Sequence, residues 1–88
     1  YQGVTIEKYK NGICYVTRIH INGNFTVGRY SSITEAAAAY NKAADILETN
    51  GVKKHFERNY IEDLPSKEYM ELYNSITMPD KITGMPDI

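Results

Sequence analysis

Cysteine is almost missing from this chain: Cys14 is the single one among 88 residues. An internal disulfide is therefore excluded, and a lone thiol points to a reducing compartment. His20 and His55 lie far apart, so with one cysteine there is no metal-ligand spacing. No apolar run approaches the length of about 18 residues that a membrane-crossing helix needs. No leader-like segment opens the sequence, and a cytoplasmic location is the expectation. The first residue is Tyr1 rather than methionine, so a piece of a longer protein is expected. Catalytic spacings are lacking as well. No Ser-His-Asp or Cys-His arrangement is suggested, and the adjacent acids Glu62 and Asp63 stand at a helix start, where acids complement the dipole. No enzyme activity, cofactor, metal or small-molecule substrate is expected.

A strong excess of charge is also lacking, the net value being −1. The distribution is uneven, however. Residues 1–31 carry Lys8, Lys10, Arg18 and Arg29 against Glu7, a balance of +3. Residues 32–60 hold four of each sign, and residues 61–88 hold six acids against Lys67 and Lys81, a balance of −4. A dipolar domain with one basic part is compatible with nucleic-acid binding.

What is present is periodicity. Ile13, Tyr15, Thr17, Ile19 and Ile21 alternate with Cys14, Val16, Arg18 and His20, the pattern of a half-buried strand. Asn11-Gly12 signals a hairpin before it. A two-residue loop there pairs Lys10 with Ile13, Ile6 with Thr17 and Thr5 with Arg18. Val4 and Ile6 then join the apolar face, and Thr5, Glu7 and Tyr9 the open one. Asn22-Gly23 marks the next turn. A bulged three-residue loop over 21–23 keeps both faces consistent, pairing Ile19 with Phe25 and Thr17 with Val27.

Ser32-Ile33-Thr34-Glu35 reads as a capping box. Ile33, Ala36, Ala37, Tyr40, Ala43, Ala44 and Leu47 follow at helical spacing, with Asn50-Gly51 as the stop. Alanine favours the helix and lets it sit close to the sheet. A shorter helix is expected from about Pro65 to Ile76, with Tyr69, Leu72, Tyr73 and Ile76 on one face. Residues 77–88 contain Met-Pro-Asp twice and are expected to be an extended, dispensable tail. The fold class is α+β: a three-stranded antiparallel sheet on one helix, with a short C-terminal helix and tail. The expected division is 1–60 for the binding domain and 61–88 for a helical extension.

Several of these stretches carry a resemblance. Tyr1-Gln2-Gly3-Val4, Tyr15-x-Thr17-x-Ile19, Val27-Gly28-Arg29-Tyr30, the helix Ser32-x-x-Glu35-Ala36-Ala37-x-Ala39-Tyr40-Asn41-x-Ala43-Ala44 and the pair His55-Phe56 come in one order. Over residues 1–56 the chain resembles the Apetala-two/ethylene-response-factor domain, and its short loops and Asn41 are similar to the bacterial and phage branch. The resemblance implies double-stranded DNA binding with the open sheet face in the major groove, in a transcription regulator or the targeting module of a mobile-element protein. A neighbouring domain in a longer parent chain is a further implied partner. The family's DNA-contacting places fall on Gln2, Thr5, Glu7, Tyr9, Arg18, His20, Asn24 and Thr26. Thr5, Glu7 and Asn24 stand where the family often has arginine. Tyr9, Tyr15 and Thr26 stand where it has tryptophan.

Each residue also has a plainer reading. Arg18 could contact guanine through its guanidinium fork, or form a surface ion pair with Glu7. Glu7 repels phosphate, yet could accept from a cytosine amino group. His20 could touch DNA or be an ordinary exposed strand residue. Tyr9 could pack on a sugar or shield the hairpin end. Lys8, Lys10 and Arg29 are phosphate candidates or solubilising charges. Cys14 and Val16 could meet thymine methyl groups or pack under the C-terminal segment. The rival function is a protein-interaction or assembly module that uses the acidic C-terminal helix, the tyrosines and the tail.

Overall fold

A computed structural model describes residues 1–21, 23–62 and 64–84. Strands β1 (Val4–Tyr9), β2 (Gly12–His20) and β3 (Asn24–Tyr30) form one antiparallel sheet in the order β1-β2-β3. Helix α1 (Ile33–Thr49) packs across it, followed by α2 (Ser66–Ser75) and α3 (Asp80–Thr83). The α+β fold of sheet, main helix and short C-terminal helix is the one the periodicity predicts.

The register differs from expectation in two places. In the first hairpin the loop residues are Lys10 and Asn11, closed by Tyr9 opposite Gly12, so Val4 pairs with Thr17 and Thr5 with Val16. The far end anchors this alignment, where the Arg18 amide donates to the Gly3 carbonyl at 2.8 Å. Gly3 has φ of 71°, and a methyl added there would stand 2.5 Å from the Arg18 carbonyl oxygen, so only glycine allows the approach. The displacement is by two residues, so every side chain keeps its expected face.

In the second hairpin Ile19 stands opposite Phe25 as expected, and His20 opposite Asn24; Asn22 of the expected loop lies outside the described residues. Between Arg18 and Thr17 the register then shifts, and Thr17 pairs with Gly28 rather than Val27. This bulge gives β3 one extra residue and reverses its alternation. Val27 remains buried on the helix side, and Arg29, opposite Val16, joins the open face. Gly28 makes room for the Tyr30 side chain: a methyl at that position would lie 2.6 Å from the phenol oxygen.

Ser32 caps α1, its Oγ accepting from the Glu35 amide at 3.1 Å. The expected stripe is buried except for Ile33, which is 40% exposed. Ala38, Ala39 and Asn41, outside that stripe, are buried as well, because α2 and α3 pack on α1 in addition to the sheet. At the sheet interface the Thr17 hydroxyl donates to the Ala36 carbonyl at 2.8 Å, which satisfies a polar group that the close approach buries.

Residues 52–62 return along α1 without regular structure, and buried side chains at Phe56, Asn59 and Ile61 pin them. The Asn41 amide donates to the Asn59 carbonyl (2.9 Å) and accepts from the Asn59 backbone N–H (2.7 Å). The Asn59 side chain in turn accepts from the Gln2 amide (2.5 Å) and donates to the Gln2 carbonyl (3.1 Å). Asn41 also donates to the Tyr69 hydroxyl at 3.1 Å, which ties in α2. Lys42 closes the other end of α2 by donating to the carbonyls of Tyr73 (2.9 Å) and Ile76 (2.6 Å). There it satisfies orphan acceptors and complements the helix dipole.

The expected extended tail is contradicted at residues 80–83, which form a turn of helix with Ile82 wholly buried in the same core as Ile19, Leu47 and Ile76. Pro79 does not oppose this turn but starts it, its carbonyl accepting from the Ile82 amide at 2.9 Å. Asn50 donates to the Thr83 carbonyl (3.0 Å), and the Lys81 ammonium lies 5.4 Å from the centroid of the Phe25 ring. The second Met-Pro-Asp lies outside the described residues. Ile82→Ala should therefore cost about 2–5 kcal/mol as a core cavity. A thermal or urea melt superimposable on that of the parent chain would show that α3 is not docked.

Candidate nucleic-acid interface

α1 seals one side of the sheet, and among the described residues no element covers the other. Side-chain alternation places Thr5, Glu7 and Tyr9 of β1, Cys14, Val16, Arg18 and His20 of β2, and Asn24, Thr26 and Arg29 of β3 on that open face. Eight of the residues singled out as candidates thus converge: Thr5, Glu7, Tyr9, Arg18, His20, Asn24, Thr26 and Arg29. Three do not share the face directly. Gln2 precedes β1 and is held by its backbone to Asn59. Lys10 sits in the loop at the hairpin tip. Lys8 pairs with Ile13 on the helix side, beyond the part that α1 covers, and is exposed there.

The centre of the face is a charged cluster. Glu7 Oε2 accepts from Arg18 Nη2 at 3.3 Å, and Glu7 Oε1 accepts from Arg29 Nε at 3.2 Å. Arg18 Nη1 also donates to the Thr5 hydroxyl at 3.1 Å. The Tyr9 hydroxyl donates to Glu7 Oε1 at 2.7 Å, and the Cys14 thiol lies 3.3 Å from the same hydroxyl. The ion-pair reading of Arg18 is therefore realised in the free chain. Val16, flanked by Thr5, Arg18 and Arg29, has none of its surface exposed. In the free chain Val16 is buried on this face, and α2 and α3 pack on α1 rather than over it.

The cluster changes how its members titrate. The hydrogen bond from Tyr9, then that from Arg29, hold the Glu7 carboxyl below the usual carboxylate range. The Tyr9 phenol is pushed up to about 12, by its hydrogen bond with Cys14 first and by that with Glu7 second.

At the other end of the face lies a shallow hollow of about 430 Å³ lined by Gln2, Gly3, Val4, Thr5, Arg18, His20, Asn24 and Tyr40. His20 Nδ1 and Asn24 Oδ1 are 3.2 Å apart at its edge. Lys54, which the sequence reading passed over, reaches this end: its ammonium donates to the His20 carbonyl at 2.7 Å. It comes from 34 positions away, in a segment without periodicity, so no local pattern could have placed it. A second concavity, about 420 Å³, lies between α1, residues 58–61 and α2, with Tyr60 and Met70 exposed at its edge. Its charged groups serve each other, Arg58 bonding Asp45 (2.8 Å) and Glu48 (2.6 Å).

Among the described residues no three histidine, cysteine or acidic side chains converge to hold a metal ion, and no helix is long and apolar enough to cross a membrane. Comparison with protein-family models, with curated proteins and with solved structures finds no match for this chain.

The Tyr9 bond is open to direct measurement. With its folded value above the ordinary one, Tyr9 stays protonated and donating until the pH rises through about 12. In a spectrophotometric titration, Tyr9→Phe should remove an ionisation from that high range and leave the ordinary tyrosine range unchanged. Loss of an ionisation near the ordinary value would mean that the Tyr9 bonds with Cys14 and Glu7 are not formed.

Proposed function

We propose that this chain binds double-stranded DNA, setting the open face of the sheet into the major groove, as a regulator of transcription or as the targeting module of a larger mobile-element protein. The observation that carries the reading is the uncovered face itself, where Thr5, Arg18, His20, Asn24, Thr26 and Arg29 stand together on three strands. A major groove about 12 Å wide admits a β-ribbon, and each base pair presents there a distinct set of donors and acceptors. The residues on the face supply the complementary groups: a guanidinium for guanine, an amide for adenine, and hydroxyls for either. The resemblance of residues 1–56 to the Apetala-two domain supports the same docking mode. The charge distribution agrees, since the acidic residues Glu68, Glu71 and Asp80 lie on α2 and α3, which pack against α1.

In this reading the contacts divide by role. Arg18 and Asn24 read base edges, Thr5 and Thr26 flank them, and Lys10, Lys54 and Arg29 meet backbone phosphates. Phosphate contacts fix register without carrying sequence information. A protein-interaction role for the acidic C-terminal part is the second reading. The concavity rimmed by exposed Tyr60 and Met70 favours it.

Arg18→Ala and Lys10→Ala should fail in different ways. Loss of a bidentate base contact at Arg18 costs about 1–3 kcal/mol and relaxes preference at one base pair. Loss of Lys10 weakens selected and scrambled duplexes alike and lowers the salt slope by about one. Titration of both variants against both duplexes across salt concentrations separates these outcomes. Equal losses on both duplexes would reduce Arg18 to a phosphate contact. No loss on either would remove the sheet face as the binding surface.

A further inference from the structure

We infer that Glu7 is a positioning residue, which orders Arg18 and Arg29 on the open face before DNA arrives, and not a base contact. The inference rests on the DNA-binding reading. A carboxylate on a groove-facing strand is unfavourable beside phosphate, so its presence needs an account. Its own geometry supplies one. Oε1 accepts from Tyr9 and from Arg29, and Oε2 accepts from Arg18. Three donors from three strands thus occupy a group with about four acceptor positions. A cytosine amino group would have to displace one of them.

The arginines, by contrast, keep donors to spare. Arg18 spends Nη2 on Glu7 and Nη1 on Thr5, and Arg29 spends only Nε. Their side chains are 37% and 54% exposed, against 30% for Glu7. The carboxylate side chain is thus the less exposed partner in both pairs. Val16, fully buried among these side chains, gives the bridge an apolar floor. Tyr9 closes the fourth side and has its own neighbour in Cys14. An arginine held on two sides loses less conformational freedom on binding than a free one, and its fork points in one direction. Glu7 thereby exchanges some general attraction to DNA for discrimination between sequences.

This exchange has a signature that neither simple repulsion nor a base contact reproduces. Glu7→Gln keeps the shape, removes the charge and weakens both arginine bonds. The variant and the parent chain are titrated against a duplex selected by the parent from a random pool and against a scrambled duplex. In the free proteins, NMR follows solvent exchange of the Arg18 Nη–H and Arg29 Nε–H protons that bond Glu7. The expected result is tighter binding to the scrambled duplex, by about two- to tenfold from the lost negative charge. The ratio of selected to scrambled affinity should fall by about fivefold or more, as oriented base contacts are lost. The guanidinium protons that bond Glu7 in the parent chain should both exchange faster. Equal tightening on both duplexes would make Glu7 a repelling charge only. Loss of preference confined to a single base pair, with arginine exchange unchanged, would make it a base contact. Either result overturns the positioning role while leaving DNA binding intact. A parent chain that binds no duplex overturns the DNA-binding reading itself, and the positioning role with it.

Discussion

Two buried side-chain amides, Asn41 and Asn59, join parts of the chain that share no secondary structure. Asn41 on α1 satisfies the backbone N–H and carbonyl of Asn59, and Asn59 does the same for Gln2 just before β1. Each amide thus acts as a short piece of strand that is missing at that place. Its second hydrogen bonds reach the Tyr69 hydroxyl and the Ala37 carbonyl. Among the described residues no buried side-chain polar atom is left unpaired. Breaking one half of such a relay leaves several buried groups unsatisfied, at about 1–3 kcal/mol each. The relay decides where β1 begins, how the 52–62 segment lies, and where α2 docks.

The position of β1 matters because the open face depends on it. Gly3 sits directly after the Gln2 anchor and touches both Tyr40 and the Arg18 carbonyl, so α1 and β2 meet β1 at one point. From there the pairing places Thr5 within reach of Arg18, and Glu7 where arginines of β2 and β3 can both bond it. The small alanines of α1 complete the arrangement on the other side. They let the helix take up the apolar face at close range, and they leave the polar face with no covering element. One rigid attachment thereby supports a surface whose polar groups are ordered yet available.

Much of this was legible in the sequence. Alternation over 13–21 and the helical stripe from Ala36 to Leu47 are strong periodic signals, and the face assignment survived a two-residue displacement because strand parity has period two. The bulge was harder. A single extra residue carries no turn signal, although a glycine inside a strand, here Gly28, is the usual hint. It mattered for the site, since it moved Arg29 to the open face. The α3 turn is hidden because proline and glycine are ordinarily breakers, while Pro79 here starts the turn and Ile82 provides the buried anchor. Asn59 and Lys54 were out of reach for another reason. Their partners lie 18 or more positions away, and neither residue belongs to a periodic segment.

The proposed function requires that DNA dock on the uncovered sheet face. Backbone amide chemical shifts, followed while a selected duplex is added to the chain, test it most directly. The predicted map has its largest changes at Thr5, Arg18, His20, Asn24, Thr26 and Arg29, with Lys10 and Lys54 at its margins and the Asn41–Asn59 relay unperturbed. Changes centred instead on Tyr60, Met70 and the rest of α2, or no changes at all, would contradict it.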